Sequence, residues 1–151
     1  MPLDRAWIAR HIPHQGAMCL LDEVIEWTPQ QIRCRSITHR SPDNPLRAHG
    51  RLGIACGIEY AAQAMAVHGA LRAESAGSSP RPGMLASTRG VKFGVARLDD
   101  VADDLVAVAT HVNGDAAMVL YDFVVSAGAT VLLAGRATIA FATPAAAPVT
   151  A

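Results

Sequence analysis

RLGIACGIEYAAQAMAVHGAL, residues 51–71, decides how this chain is read. The stretch is almost wholly small or apolar, yet it keeps a carboxylate at Glu59 and an amide at Gln63, one helical turn apart. Its alanines favour a helix, expected from about Ile54 to Glu74, and its small side chains allow close packing on a sheet. Gly57 and Gly69 weaken a helix, so close backbone approach is the reason expected for both. A helix that is apolar on nearly every face needs cover all round. A flat sheet covers only one side, so a sheet wrapped around the helix, with a partner subunit nearby, fits better.

Working outward, HRSPDNPLRAHGRLG (39–53) is rich in Pro, Gly, Asn and Asp and reads as a structured loop. Before it stand two strand-like runs, CLLDEVIEW and QIRCRSIT, parted by Thr28-Pro29-Gln30. The second alternates, with Ile32, Cys34 and Ser36 on one side and Arg33, Arg35 and Ile37 on the other. A short helix is expected over Leu3 to Arg10, stopped by Pro13. Beyond the long helix, AGSSPRPG is a connection, followed by strands expected at 84–96, 105–112, 118–126 and 130–142. Asn113-Gly114-Asp115 and Ala127-Gly128-Ala129 read as tight turns, and the tail 143–151 as frayed. Strand runs interrupted by a single long helix give an α+β class: one antiparallel sheet packed on that helix, in a single domain over 1–151.

Composition narrows the function. The formal net charge is zero and aromatic residues make up 5%, which gives no electrostatic footprint for nucleic acid or an anionic membrane. No apolar run reaches the roughly 18–20 residues of a membrane span. The N-terminal MPLDRAWIARHIPH has charges and a Pro where a signal peptide needs its apolar segment, so a cytoplasmic protein is expected. Cys19, Cys34 and Cys56 are far apart and lack metal-ligand spacing, so free thiols and no metal site are expected.

The order of elements and two motifs resemble the hotdog-fold β-hydroxyacyl-ACP dehydratases of fatty-acid synthesis. IPHQGAMCLLDEVIEW (12–27) is similar to that family's Pro-His segment and the strand after it, supplying Pro13, His14, Leu20, Leu21, Asp22 and Val24. GIEYAAQA (57–64) resembles its central helix, where a Glu precedes a Gln by four residues. IPHQGAM, NPLR and GIEYAAQAMAVHGAL look most like the divergent branch associated with aryl-polyene pigment clusters, often called ApeP. The resemblance spans roughly residues 8–142. It implies a hotdog: an antiparallel sheet wrapped around one long central helix, in a dimer with active sites between protomers. It also implies a substrate arm, the 4'-phosphopantetheine of acyl carrier protein or CoA, and no bound cofactor or metal.

Dehydrating a 3-hydroxyacyl thioester takes a base at the α-carbon, an acid at the departing hydroxyl and a donor for the thioester oxygen. Glu59 is the expected acid, since a carboxyl in apolar surroundings favours its neutral, proton-donating form. The other reading of Glu59 is a solvent-facing or Arg-paired helix residue. Gln63 can hold Glu59 or a substrate hydroxyl, or make an ordinary helix–sheet hydrogen bond. Gly53 and Ile54, where helix N–H groups begin, are the expected oxyanion donors.

The base is harder to place. In the family a Gly-His-Phe-Pro-Gly-His-Pro loop carries it, with the first His fourteen residues before the Glu. That position here is Pro45, and the second His aligns with His49. His14 and His49 therefore lead the candidates, followed by His39, while His68 and His111 look structural or exposed. SPDNPLRAH partly resembles the Asp-x-Asn-Pro-x-His loop of the R-specific enoyl-thioester hydratases, which leaves Asp43 possible as a site residue. Arg40, Arg47 and Arg51 make the loop basic, either as solvated charge or as a contact for an acidic carrier protein.

The expected function is a 3-hydroxyacyl-ACP or -CoA dehydratase, working as a homodimer or as a heterodimer with another hotdog subunit. A catalytically incomplete subunit beside an active partner, and an acyl thioesterase on the same fold, are the alternatives.

Overall fold

The alternation in the second strand survives folding: Ile32, Cys34 and Ser36 are buried, between residues that stay more open. The computed structural model describes residues 3–141, and the expected frayed tail lies outside them. Six strands form: β1 (Glu23–Trp27), β2 (Gln31–Ser36), β3 (Gly83–Phe93), β4 (Leu105–Gly114), β5 (Met118–Ala127) and β6 (Thr130–Phe141). They pair antiparallel in the order β1-β2-β4-β5-β6-β3, so sequence-distant β3 closes one edge against β6. The sheet carries a short helix α1 (Arg5–His11) and the long helix α2 (Gly57–Ser75), which is entered through a 3-10 turn at Ile54–Cys56. Asp4 caps α1, its carboxylate accepting the Trp7 N–H at 2.9 Å, a contact worth about 1 kcal/mol.

Helix α2 packs on β2, β4 and β5. Tyr60, Ala61, Ala64, Met65, Val67, His68, Ala70 and Leu71 are buried along it, facing inward residues such as Ile32, Ala107, Ala109, Tyr121 and Phe123. One stripe has less cover: Ala62, Ala66, Gly69 and Ala73, at helical spacing along a single face. A single chain thus wraps most of the helix and leaves one face bare. Gly57 is required for close approach, because a Cβ there would come within 2.5 Å of a Leu133 methyl on β6. Gly69 is not: nothing lies within 4 Å of its missing Cβ, and it belongs to the bare stripe.

Two strand boundaries differ from expectation for local reasons. The first strand begins at Glu23 rather than Cys19, since Gly16–Met18 make a 3-10 turn and the next residues run into the sheet. Strand β3 ends at Phe93, short of Ala96. Gly94 turns against β6, where its N–H donates to the Leu132 carbonyl at 2.7 Å and a Cβ would lie 2.7 Å from the Val131 oxygen. Residues 96–98 then pair with 52–54 at the entry to α2. Strand β3 itself is an edge, exposed along nearly all of its length, with Met84 72% and Phe93 50% accessible. Among the described residues no helix is long and apolar enough to cross a membrane.

Candidate active site

A cavity of about 900 Å³ opens along the bare face of α2, between that helix and the ends of β3, β5 and β6. Glu59 lines it from the first turn of α2, half-buried. His14 lines it too, from the segment that follows α1, and its Nδ1 is buried with no hydrogen-bond partner among the described residues. The expected acid and one of the two leading base candidates therefore share a cavity.

The segment carrying His14 is held by α2 itself. The carbonyl of fully buried Gln63 accepts the Leu20 N–H at 2.9 Å, and its amide donates to the Met18 carbonyl at 2.7 Å. Gln63 does not line the cavity, and both ends of its side chain serve this backbone rather than Glu59. Ser36 and Thr38 hydroxyls donate to the Leu20 carbonyl at 2.5 and 2.8 Å, and Asp22 accepts the Ile37 N–H at 2.7 Å. With Leu20 and Leu21 fully buried, the Leu-Leu-Asp part of the first motif is accounted for as a structural anchor.

His49 stands elsewhere. Ala48 and Arg51 exchange backbone hydrogen bonds at 2.8 and 3.0 Å, leaving His49 and Gly50 as a two-residue turn with φ of 53° and 73°. The side chain is exposed and absent from the cavity wall, so the expected approach of His49 to Glu59 does not occur within one chain. The loop before it is anchored. Asn44 donates to the Tyr60 hydroxyl and the Thr38 carbonyl, both at 3.0 Å, and its own carbonyl accepts the Leu46 N–H at 2.9 Å. Arg47 donates to the Gly50 and His39 carbonyls, and Arg40 pairs with Asp104 at 2.8 Å. Pro45 and Asp43 are exposed on this loop.

His39 is fully buried, its ring nitrogen donating to the Val101 carbonyl at 3.0 Å; desolvation lowers its pKa and keeps it neutral. The amide of Ile54 is likewise occupied, donating to the Ala96 carbonyl at 3.1 Å, while Gly53 bridges Arg97. The oxyanion role expected of Ile54 is therefore blocked by the short pairing of 52–54 with 96–98. Cys56 is half-buried, and burial first, then the nearby Glu59 charge, push its thiol up and hold it protonated. Cys19 and Cys34 are buried and free, with burial pushing the Cys34 thiol up to about 12. Among the described residues no group of three His, Cys, Asp or Glu side chains could hold a metal ion.

Four cavity residues were not singled out for the site from the sequence. His11 stacks on Trp7 with centroids 3.8 Å apart and its Nδ1 donates to the Trp7 carbonyl at 2.7 Å, leaving Nε2 as acceptor. Its i, i+4 spacing from Trp7 was the available signal. Tyr121, His111 and Arg72 line the wall near the end of α2. The Tyr121 hydroxyl lies 2.7 Å from Nδ1 of buried His68, whose Nε2 lies 2.7 Å from the Thr28 carbonyl. A carbonyl can only accept, so Nε2 carries the hydrogen, Nδ1 accepts, and the tyrosine proton points at His68. Burial lowers the pKa of His68 and pushes the Tyr121 phenol up to about 12, so both are neutral near pH 7.

The chain matches the family model of ApeP-like proteins, described as ApeP dehydratase, over residues 6–149. Among solved structures it resembles the dehydratase heterocomplex ApeI:P from Xenorhabdus doucetiae, with a TM-score of 0.79 and 24% identity, covering 90% of this chain and 91% of that one. It also resembles a mutant of thioesterase PA1618 from Pseudomonas aeruginosa, with a TM-score of 0.57 and 12% identity over 79% of each chain. Thioesterase HI1161 from Haemophilus influenzae gives 0.58 and 11%, over 80% of this chain and 78% of that one. At these identities the likenesses speak for a shared fold, the hotdog. No curated protein sequence matches the chain.

Proposed function

Because the chain belongs to the ApeP-like dehydratase family, we propose that it eliminates water from a 3-hydroxyacyl thioester, with Glu59 as acid and His14 as base. The observation that carries this reading is that Glu59 and His14 line one cavity. Nδ1 of His14 is buried, so Nε2 is the ring nitrogen that would accept the α-proton of the substrate. The electron pair of that C–H bond becomes the new double bond, and the β-hydroxyl departs as water with a proton from Glu59. The enoyl thioester remains, and exchange with solvent returns the proton from His14 to Glu59. The acyl group would arrive on the 4'-phosphopantetheine of an acyl carrier protein or on CoA.

Assembly is part of the proposal. The bare stripe on α2 and the exposed edge β3 leave one side of the cavity for a second hotdog subunit, identical or different. The resemblance to a heterocomplex supports a different one. A second reading follows from Pro45 and His49, both facing solvent: this chain holds the acid, and the partner brings the base.

The test is to give the purified chain, alone and with a co-expressed hotdog partner, a 3-hydroxyacyl carrier-protein substrate. Enoyl formation and thiol release are followed separately. Enoyl product from the chain alone is expected, reduced at least about 10²-fold in Glu59→Gln at an unchanged melting temperature. Thiol release without enoyl points to a thioesterase. Activity that needs the partner and survives Glu59→Gln overturns the assignment.

A further inference from the structure

The cavity has a second polar pole that the elimination does not use. Arg72 lies thirteen residues after Glu59 on α2, which at the rise of a helix is about 20 Å. Tyr121 and His111, their rings edge to face with centroids 5.5 Å apart, line the cavity with it. Arg72 has no carboxylate within 4 Å among the described residues, although it is only partly exposed. The carboxylates that share the cavity with it are engaged or distant: Asp115 accepts the Ala117 and Met118 N–H groups within its own turn, and Glu59 is at the other end of the helix. Since the tyrosine proton is committed to His68, the Tyr121 oxygen offers only lone pairs to this corner. It therefore does not compete with Arg72 for an acceptor.

Between the two poles the helix wall is apolar: Ala62, Met65, Ala66 and Gly69. A pantetheine arm laid along this wall would leave its two amides without partners on it, which is unfavourable. A hydrocarbon chain meets no such cost. We propose that the acyl chain runs along this wall and ends in an acceptor-rich or anionic oxygen group, which Arg72 receives with His111. The inference rests on the thioester reading of the site and names the substrate class within it: acyl groups with a polar, oxygen-bearing tail. Arg72 sets specificity, and its charge-assisted hydrogen bonds are the strong kind.

The test is a binding measurement, so that a failure of turnover does not obscure it. Calorimetry on the full chain would compare pantetheine thioesters of matched length ending in methyl or in carboxylate, each with and without the arm phosphate. The expected result is at least tenfold tighter binding of the carboxylate-ended chain. Arg72→Met should abolish that preference by weakening only the carboxylate-ended ligands, and Arg72→Lys should restore part of it. Thermal melts of both variants exclude misfolding as the cause. A preference for the methyl end, an equal loss for both ends, or a loss that tracks the arm phosphate overturns the proposal. If the carboxylate preference holds while no enoyl forms from any substrate, the chain-end subsite stands and the dehydratase reading fails.

Discussion

In the segment after Pro13 the side chain of His14 is half-buried in the wall of the cavity, whereas in the loop after Pro45 His49 faces solvent from a tight turn. Both segments are pinned, but to different ends. Gln63, Ser36 and Thr38 hold the backbone at Met18 and Leu20, which keeps the residues just before it against α2. Asn44 and Arg47 fold the other loop onto Tyr60, His39 and its own turn. Bringing His49 inward would break several of these bonds, each worth about 1 kcal/mol net and more where a buried group is orphaned. A motif position therefore says where a histidine stands in the chain, while its anchoring says where it stands in the cavity.

The sharpest way to break this comparison is kinetic. His14→Ala should lower kcat for elimination by about 10²–10⁴-fold, as loss of a general base does, while His49→Ala stays within about twofold of the parent. Steady-state rates of enoyl formation decide it. Equal losses would mean that assembly refolds the 44–51 loop.

Next in size is the anchor of that loop. Tyr60→Phe removes the hydroxyl that meets Thr38 at 2.8 Å and Asn44 at 3.0 Å inside the core. It should cost about 1–3 kcal/mol in urea unfolding and loosen the loop to proteolysis, leaving His14 in place.

A pH series tests the buried histidines. His39 and His68 have folded pKa values lowered chiefly by desolvation, so the unfolded chain binds more protons than the native one below about 6.5. Stability should be complete above that pH and fall as pH drops through it. A melting temperature that holds steady from pH 7.5 to 5 would contradict this.

The smallest effect concerns the turn. His49 adopts φ of 53°, a conformation that disfavours residues with a Cβ, so His49→Gly should be neutral to about 1 kcal/mol stabilising in thermal melts.

Much of the architecture was legible because it follows from periodicity. The alternation at Ile32, Cys34 and Ser36, the all-round apolar helix and the Gly128 turn each carry their own signal. Glu59 stood out because a charge in such a helix has few other uses. The role of Gln63 was not legible, because an amide one turn from a carboxylate looks the same whether it faces substrate or a backbone segment 43 residues away in sequence. The lost availability of Ile54 depends on a pairing with residues 96–98, a long-range contact that no local pattern announces. Tyr121, His111 and Arg72 meet only when β4, β5 and α2 are assembled, so neither spacing nor composition could join them.

The clamp at Gln63 has a consequence for measurement. The N–H of Leu20 is bonded to a side chain of the central helix rather than to a neighbouring strand. Its hydrogen-exchange rate therefore follows the seating of α2 in the sheet, not the fraying of β1. A single backbone resonance at Leu20 would report, in solution and without substrate, whether carrier or partner binding shifts the helix that bears Glu59.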